Sequence, residues 1–576
     1  MIETTPAVDV RIPLVIGAIG HRDLVVGELH LLEDRVRSFL ETLQRKYPDL
    51  RVTVLTSVAD GADRLVADVA NSLGMPVSYV LPMPSELFER DFDATSLGEY
   101  RQILSGSNAL TLPLVDENTP EGVTHPGVAR DMQYAQLGAF IAAHCHILLA
   151  LWDGNEEGPP GGTAAIVRFH QDDFMLGLTD GEPHSRLDDI DDESDLVYQV
   201  LCSRDRPNGS PMAPLKPGEV WWLSRDHRLP RTAEMPSRYE IVLHRMVEFS
   251  QDVVRHHRLI DRAPNALLSS GADSGIEAGA RDIAELFRVA DWLSVHFERL
   301  TVWALRLLYG FAALAGLCFI AYGDLPGHDL LIYPYLVFMT ASIGAYLAQR
   351  RGEWQRRYCD YRVLAEALRV QFYWAVAGVR RPTASRFGHD AFLKRQDLEL
   401  GWIRNLLRVA GRRDDASVAR PVESGIAVAV RDWVGDERQG QLHYFRRRWP
   451  QLLRLHRLTA AFGTTSFAAG LALATWLAAA QFWFERPPTN LLMVMVGMLP
   501  VVAALWHNYA HQRAQGELIS QYQFMERILA NAQQQLSRVA SATERRRILR
   551  ELGDAALREN GQWILRQRER PISTVS

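Results

Sequence analysis

A chain that tracks nucleic-acid phosphates carries a clear excess of basic residues, and this one has none. Its 63 Lys and Arg stand against 69 Asp and Glu, a formal net charge of −6. A nucleic-acid partner is therefore not expected. Cysteine is scarce too: Cys145, Cys202, Cys318 and Cys359 are scattered with no C-x-x-C pair. That spacing excludes the usual zinc and dithiol redox motifs and points to a reducing compartment. The acidic start Met1-Ile2-Glu3-Thr4-Thr5-Pro6 lacks the basic flank of a signal peptide, and the first apolar run, Ile12 to Ile19, is too short to be one. The front of the chain is expected to stay in the cytosol. The loop Asp180 to Asp195 is rich in acids, with Asp188, Asp189, Asp191, Asp192 and Glu193 close together, but it lacks the glycine and terminal glutamate of an EF-hand. It reads as a solvated loop, and no metal is expected.

What the chain does have is four long apolar runs, concealed within an ordinary hydrophobic fraction of 47%. Leu307 to Tyr322 and Leu330 to Ala348 are separated only by Gly323-Asp324-Leu325-Pro326-Gly327-His328-Asp329. Each approaches the roughly 20 residues a helix needs to cross a bilayer, so the pair reads as a membrane hairpin. Thr459 to Phe484 and Leu491 to Tyr509 form a second, joined by Glu485-Arg486-Pro487-Pro488-Thr489-Asn490. Arginines cluster outside the connecting turns, at Arg350, Arg351, Arg356, Arg357, Arg446, Arg447, Arg448, Arg454, Arg457 and Arg513. The positive-inside rule then puts both termini and the middle region in the cytoplasm. Arg281 to Leu300 reads as an amphipathic neck, with Ile283, Leu286, Phe287, Ala290, Leu293 and Phe297 on one face. Gly463, Ser466, Gly470 and Ala474, and likewise Ala312 and Gly316, approach the small-xxx-small spacing of close helix contacts. After each hairpin similar elements recur in order, with Ile528-Leu529-Ala530 matching Val363-Leu364-Ala365, which suggests a duplicated unit.

Ahead of the membrane portion, strand and helix patterns alternate, as in an α/β layer with a mostly parallel sheet. Strands are expected at Leu14 to Ile19, Val52 to Thr56, Val77 to Leu81, Ala109 to Val115, His146 to Trp152 and Leu196 to Cys202. A helix from about Glu28 to Lys46 would bury Leu32, Val36, Phe39, Leu40 and Leu43. Three small-residue loops fall where such a sheet binds ligands, outside the carboxyl ends of its strands: Gly17 to Arg22, Ser57 to Asp63, and Asp153-Gly154 with Pro160-Gly161-Gly162-Thr163. Their convergence suggests one anion-tolerant cleft. His21 and Arg22 suit a phosphate or a base edge; Asp60 and Asp63 suit ribose hydroxyls or a helix cap; Thr163 suits a phosphate. Gly17, Gly20, Ser57, Gly61, Arg64, Gly161 and Gly162 complete the candidate ligand-binding set. No catalytic residue is assigned.

The runs Ile16-Gly17-Ala18-Ile19-Gly20-His21-Arg22, Ala59-Asp60-Gly61-Ala62-Asp63-Arg64-Leu65 and Gly161-Gly162-Thr163 resemble those of the SLOG superfamily, over roughly the first 230 residues. The resemblance implies a Rossmann-like fold that binds nucleotides or nucleotide-derived ligands. Enzymes of that superfamily carry a PGGxGTxxE motif with a catalytic glutamate; here Pro160-Gly161-Gly162 runs directly into Thr163, and three positions on stands Ile166. The helical part, with its Tyr358-x-x-Tyr361-Arg362-x-Leu364-Ala365-Glu366-x-Leu368-Arg369 run, is similar to the SLATT two-transmembrane effector domains, over about Arg281 to Gly378 and again over Gly425 to Pro571. Together they imply a SLOG-like domain over 1–235, a connecting helix and linker over 236–280, a first two-transmembrane module over 281–380, a cytosolic linker over 381–424 and a second module over 425–571. The function implied is a sensor of a nucleotide-derived ligand at the bacterial inner membrane, coupled to a pore built from several copies of the chain in antiviral defence. No other cofactor is expected. A membrane-anchored nucleotide-processing enzyme, with Asp60 or Asp63 as general base, and a pore-free receptor or scaffold are the alternatives.

Overall fold

The computed structural model describes residues 10–116, 118–156, 158–172, 175, 195–211, 214–224, 231–268, 276–325, 327–379, 398–416, 423–480, 490–512 and 515–568. Most of the acid-rich loop, the turn of the second hairpin and Arg513 lie outside them. The chain divides into two compact units, one of residues 1–289 and 367–425, the other of 290–366 and 426–576.

The first unit is built on an eight-stranded sheet: β1 Pro13–Gly20, β2 Arg51–Thr56, β3 Val77–Leu81, β4 Leu110–Thr111, β5 Ile147–Leu151, β6 Leu196–Val200, β7 Val220–Leu223 and β8 Arg231–Thr232, in the order β4-β3-β2-β1-β5-β6-β7-β8. From β4 through β6 every pairing is parallel, with Ile16 opposite Val54 on one side of β1 and opposite Ile147 on the other. β7 and β8 then run antiparallel along the edge. β1 and β5 are apolar almost throughout and buried, as strands covered on both faces must be. The six expected strands are present, whereas β7 and β8 have no counterpart among them. They are only four and two residues long, too short for a period-two pattern to register.

Helices cover the sheet. α1, Leu29–Lys46, buries Leu32, Val36, Phe39, Leu40 and Leu43, the face its spacing predicts, and Phe39 stacks on Tyr198 of β6 with ring centroids 4.0 Å apart. α2, Ala62–Ser72, α3, Ala94–Ser105, α4, Val128–Ala143, and α5, Thr163–Asp172, follow their strands. α6, Ser237–Ile260, closes the unit's front part, its Ser250 hydroxyl accepting the backbone N–H of Ile12 at 3.1 Å.

Residues 398–416, which the sequence reads as part of a linker, are folded into this unit. Their main helix, Gly401–Ala410, buries Trp402 5.4 Å from the ring of Phe249 and carries the Arg408–Asp195 ion pair, 2.7 Å long and almost wholly buried. Gln371 donates to its Leu407 carbonyl at 3.1 Å. His146, at the entrance to β5, joins it to the sheet. Its Nδ1 accepts the N–H of Val15 at 3.0 Å, so its Nε2 carries the proton and donates to the Asn405 carbonyl, also at 3.0 Å.

The second unit is helical. Among the described residues four helices, Ala278–Asp324, Asp329–Gly352, Gly440–Ala480 and a stretch beginning at Asn490, are long and apolar enough to cross a membrane. The neck and the first apolar run prove to be one uninterrupted helix of 47 residues, Ala278–Asp324. Within the first hairpin Ser342 donates to the Leu308 carbonyl at 3.0 Å, and Phe319 meets Tyr335 with centroids 5.2 Å apart. In the second, a Cβ at Gly470 would stand 3.2 Å from Leu499 and Pro500, so the expected small residue sits at a close helix contact. The hairpins meet along a ladder of opposite direction: Tyr309 with Tyr509, Gly316 with Val501, Ile320 with Gly497. Beyond them, Trp354–Ala377, Gln515–Arg538 and Ala542–Arg568 continue as helices. The last is strapped to the first of these by Arg568 on the fully buried Asp360 at 2.9 Å, by Asn560 donating to the Val363 carbonyl at 3.0 Å, and by Arg362 lying over the Trp563 ring.

Candidate functional site

Strand order reverses direction between β1 and β5, and at such a point the loops leaving adjacent strands turn to opposite sides and open a crevice. Here the crevice is a cleft of about 540 Å³. The loop after β1 supplies Gly20, His21, Arg22 and Asp23; the loop after β2 supplies Ser57 and Ala59; the loop after β5 supplies Trp152, Asp153 and Asn155 and leads through Pro159-Pro160-Gly161-Gly162 into the N-terminus of α5 at Thr163. Arg204 and Arg206 enter from the far side of β6, and Asp131 and Tyr134 from α4.

Two glycines hold the walls together. Gly61 has φ +79°, and a Cβ there would come within 2.4 Å of the Arg22 carbonyl, so the turn into α2 packs directly on the loop after β1. Gly161, at φ +80°, leaves no room for a Cβ against the backbone of Asp131 and Ala135, which brings the α5 turn onto α4. The first N–H groups of α5 have no partner within the helix and mark the cleft's anion-favouring end.

The charged groups are largely matched. His21 is buried with Nε2 3.2 Å from Asp153 Oδ1 and 3.3 Å from the Asp153 backbone nitrogen. Neutral at Nε2, the ring accepts that N–H; protonated there, it donates to the carboxylate. Burial opposes the Asp153 charge, but His21, the Asn155 N–H at 3.1 Å and the Arg204 cation together hold its carboxyl below the usual range. Arg204 grips Asp23 with two nitrogens, at 2.9 and 3.0 Å, and Arg206 lies 3.9 Å from Asp153. Arg22 spreads over the Tyr134 ring, 4.9 Å from its centroid, with Asp91 at 3.7 Å. Asp63 accepts the Ser57 hydroxyl, and Ser57 in turn accepts the Ala59 N–H at 3.0 Å. Burial pushes the Asp63 carboxyl up to about 6, against the opposing pull of Ser57 and Arg22.

Of the residues singled out from sequence, Gly20, His21, Arg22, Ser57, Asp63, Gly161, Gly162 and Thr163 line this cleft. Gly17, Asp60, Gly61 and Arg64 do not. Gly17 lies within β1, where a Cβ would meet Cys145 at 2.8 Å. Asp60 accepts the Ser96 hydroxyl and pairs with Arg64 at 2.8 Å, while Arg64 also binds Glu99 at 2.8 Å and covers the Phe92 ring. Those two side chains anchor α2 to α3. Gly61 acts through its backbone, behind the wall. Ile166, where the phosphoribohydrolase motif has its glutamate, is buried against Gly138 of α4 and forms part of the cleft's apolar floor with Ile19, Leu137 and Ile141.

Several lining residues escape the sequence argument, among them Arg204, Arg206, Asp131 and Tyr134. Arg204 and Arg206 directly follow the strand expected at Leu196 to Cys202, so the carboxyl-edge rule that found the other loops reaches them as well. Asp131 and Tyr134 had no such signal, because α4 is buried around most of its circumference and shows no amphipathic stripe. Comparison with known proteins finds no matching family model, no matching curated protein and no matching solved structure.

Proposed function

We propose that the chain is a membrane-embedded sensor, in which the cleft between β1 and β5 binds a nucleotide-derived small molecule and the two hairpins form or gate a pore, assembled from several copies of the chain. The setting implied by the SLOG and SLATT resemblances is antiviral defence at a bacterial inner membrane, with the Rossmann-like sheet domain in the cytosol. The observation that carries this reading is the cleft. It combines a free helix N-terminus for a phosphate, Tyr134 and Trp152 for a flat ring, and Asp63 and Asp153 for ribose hydroxyls, with apolar Ile166 in place of the hydrolytic glutamate. A binding site without that carboxylate suits retention of a signal better than its destruction, and four membrane-length helices give the signal an output.

The test is recovery of ligand. Full-length protein in detergent is incubated with labelled nucleotides, cyclic dinucleotides and NAD derivatives, and the retained label is identified. Intact retained ligand that also triggers ion flux from liposomes supports the reading; retention with no flux at saturation removes the pore. One observation favours a second reading. A carboxyl titrating near neutrality inside a cleft is suited to general-base work, and Asp63 is such a group. A nucleotide hydrolase or transferase would give turnover that Asp63→Asn abolishes while binding persists. Asp60 lies outside the cleft lining, engaged by Arg64 and Ser96.

A further inference from the structure

The two hairpins repeat in detail. Arg299-Leu300-Thr301 recurs as Arg457-Leu458-Thr459, and both threonines are buried, each donating its hydroxyl to the carbonyl four residues back, Phe297 at 2.8 Å and Leu455 at 2.6 Å. In chain order the membrane-length helices are Ala278–Asp324, Asp329–Gly352, Gly440–Ala480 and the one beginning at Asn490. The first meets the second through Leu308, Phe311 and Phe319, and the fourth through Tyr309, Gly316 and Ile320. The fourth meets the third through Leu499, Pro500 and Trp506, and the first through Gly497, Val501 and Tyr509. The inner pair therefore has two seams per helix. The second and third stand at the ends of the row: from Ile332 to Gly352 only Ser342 and Gln349 are buried, and from Thr459 onward the third buries a single stripe, Thr459, Ser466, Gly470, Leu477 and Ala480.

We infer that these two end helices meet between copies of the chain, the third of one against the second of the next, repeating head to tail the seam between the first and the fourth. This deepens the proposed assembly of several copies and rests on reading the four helices as membrane-spanning. At about 100° per residue, the first helix turns about 110° from its seam with the second to its seam with the fourth. The same turn from Ser466, Gly470 and Leu477 brings up Thr464, Phe467, Leu471 and Ala478. On the fourth helix the two seams lie on opposite faces, and the face of the second helix opposite Tyr335, Phe338 and Ser342 carries Tyr333, Val337, Thr340 and Gly344. Every one of these is exposed, Phe467 by 57%, Leu471 by 61%, Tyr333 by 65% and Val337 by 62%. The side chains match too. The internal seam sets glycine against branched side chains, Gly316 against Val501 at 3.3 Å and Gly497 against Ile320 at 3.1 Å. Of the end faces, one holds Gly344, with nothing within 4 Å of a Cβ there, and the other the large Phe467 and Leu471. Stacked repeats leave one open face at each end, and a head-to-tail contact closes into a ring when the rotation per copy fits.

The experiment is disulfide cross-linking of the full-length chain in membranes with copper–phenanthroline as oxidant. Cys318, the partly exposed thiol, is first replaced by Ala; the other three are buried. Val337→Cys and Phe467→Cys in one chain should convert most of the monomer into a ladder of dimers, trimers and higher species. The two single variants, co-expressed with different tags, should stop at a dimer that carries both tags, and neither should link to itself. Tyr333→Cys with Leu471→Cys repeats the test one turn away, should the first pair disturb the helices. Met339→Cys with Ala469→Cys, equally exposed but turned off these faces, should give no ladder. Single variants that link to themselves, or a ladder from the control pair as strong as from the others, overturn the inference. So does the absence of links from both designed pairs: if the mass in detergent still shows several copies, the assembly stands with its seam elsewhere, whereas a single-copy mass takes down the assembly as well. A ladder without ligand-triggered ion flux leaves the seam standing and removes the pore.

Discussion

Two buried titratable residues in the sheet unit should pull stability in opposite directions with pH. Asp63 has its carboxyl raised by burial from 3.8 to about 6, so between those values the folded chain holds a proton that the unfolded chain has released. Stability then falls as pH rises through that window. Asp63→Asn keeps an acceptor for Ser57 and removes the buried charge; it should raise the thermal midpoint at pH 8, by about 1–2 kcal/mol of stability, and flatten the dependence between pH 4 and 6. His146 is the mirror case. Burial drives it down from 6.5 to about 4, ahead of the Asn405 hydrogen bond that favours the charge, so the unfolded chain binds the extra proton and stability falls as pH drops through that interval. Protonation would also set an N–H at Nδ1 against the Val15 N–H that it now accepts. His146→Leu should cost about 2–5 kcal/mol, since it orphans both the Val15 N–H and the Asn405 carbonyl. A pH series of unfolding curves for the two variants, set against the parent, separates the two slopes.

At the scale of elements, the Gly401–Ala410 helix depends on a buried pair. Burial disfavours the Asp195 carboxylate, yet Arg408 and Arg404 hold its pKa far below the usual range. Asp195→Ala would leave the Arg408 cation buried opposite an apolar methyl and should cost about 3–5 kcal/mol, whereas Asp195→Leu combined with Arg408→Met should recover most of it. Hydrogen exchange of residues 401–410 reads the result, and a double variant that loses as much as Asp195→Ala would show that the orphaned Arg408 charge is not the source of the loss. The same pair marks the limit of what the sequence reveals. β1 and α1 announce themselves through local pattern, because an unbroken apolar run and an i, i+4, i+7 stripe record burial within one element. The four membrane-length helices do so through length. Asp195 closes an acid-rich stretch that looks solvated, and its partner lies 213 residues further on, so no local period connects them. Likewise the glycine loops of the cleft are visible in sequence, but which side chains face inward is not. Asp63 and Asp60 stand three positions apart in one turn, and only packing sends the first to the cleft and the second to Arg64.

For the whole molecule, the chain passes between its two compact units three times, within the helices Ala278–Asp324, Trp354–Ala377 and Glu423–Val428. A sensor that gates a pore obeys a strict linkage: ligand shifts the closed–open equilibrium only by the ratio of its affinities for the two states. Arg22 lines the cleft with its guanidinium spread over Tyr134 and beside Asp91, both within the sheet unit. On the proposed sensor reading, Arg22→Ala should therefore weaken ligand binding without altering the pore. A charge-assisted hydrogen bond contributes about 1.5–3 kcal/mol, so the affinity should fall roughly ten- to 150-fold. In liposomes the ligand concentration for half-maximal ion flux should rise by the same factor, and the flux at saturation should match the parent. If the hairpins only anchor an enzyme, Arg22→Ala changes turnover and no ligand concentration produces flux in either protein. If they form a pore that ignores the cleft, flux is constant across the titration for parent and variant alike.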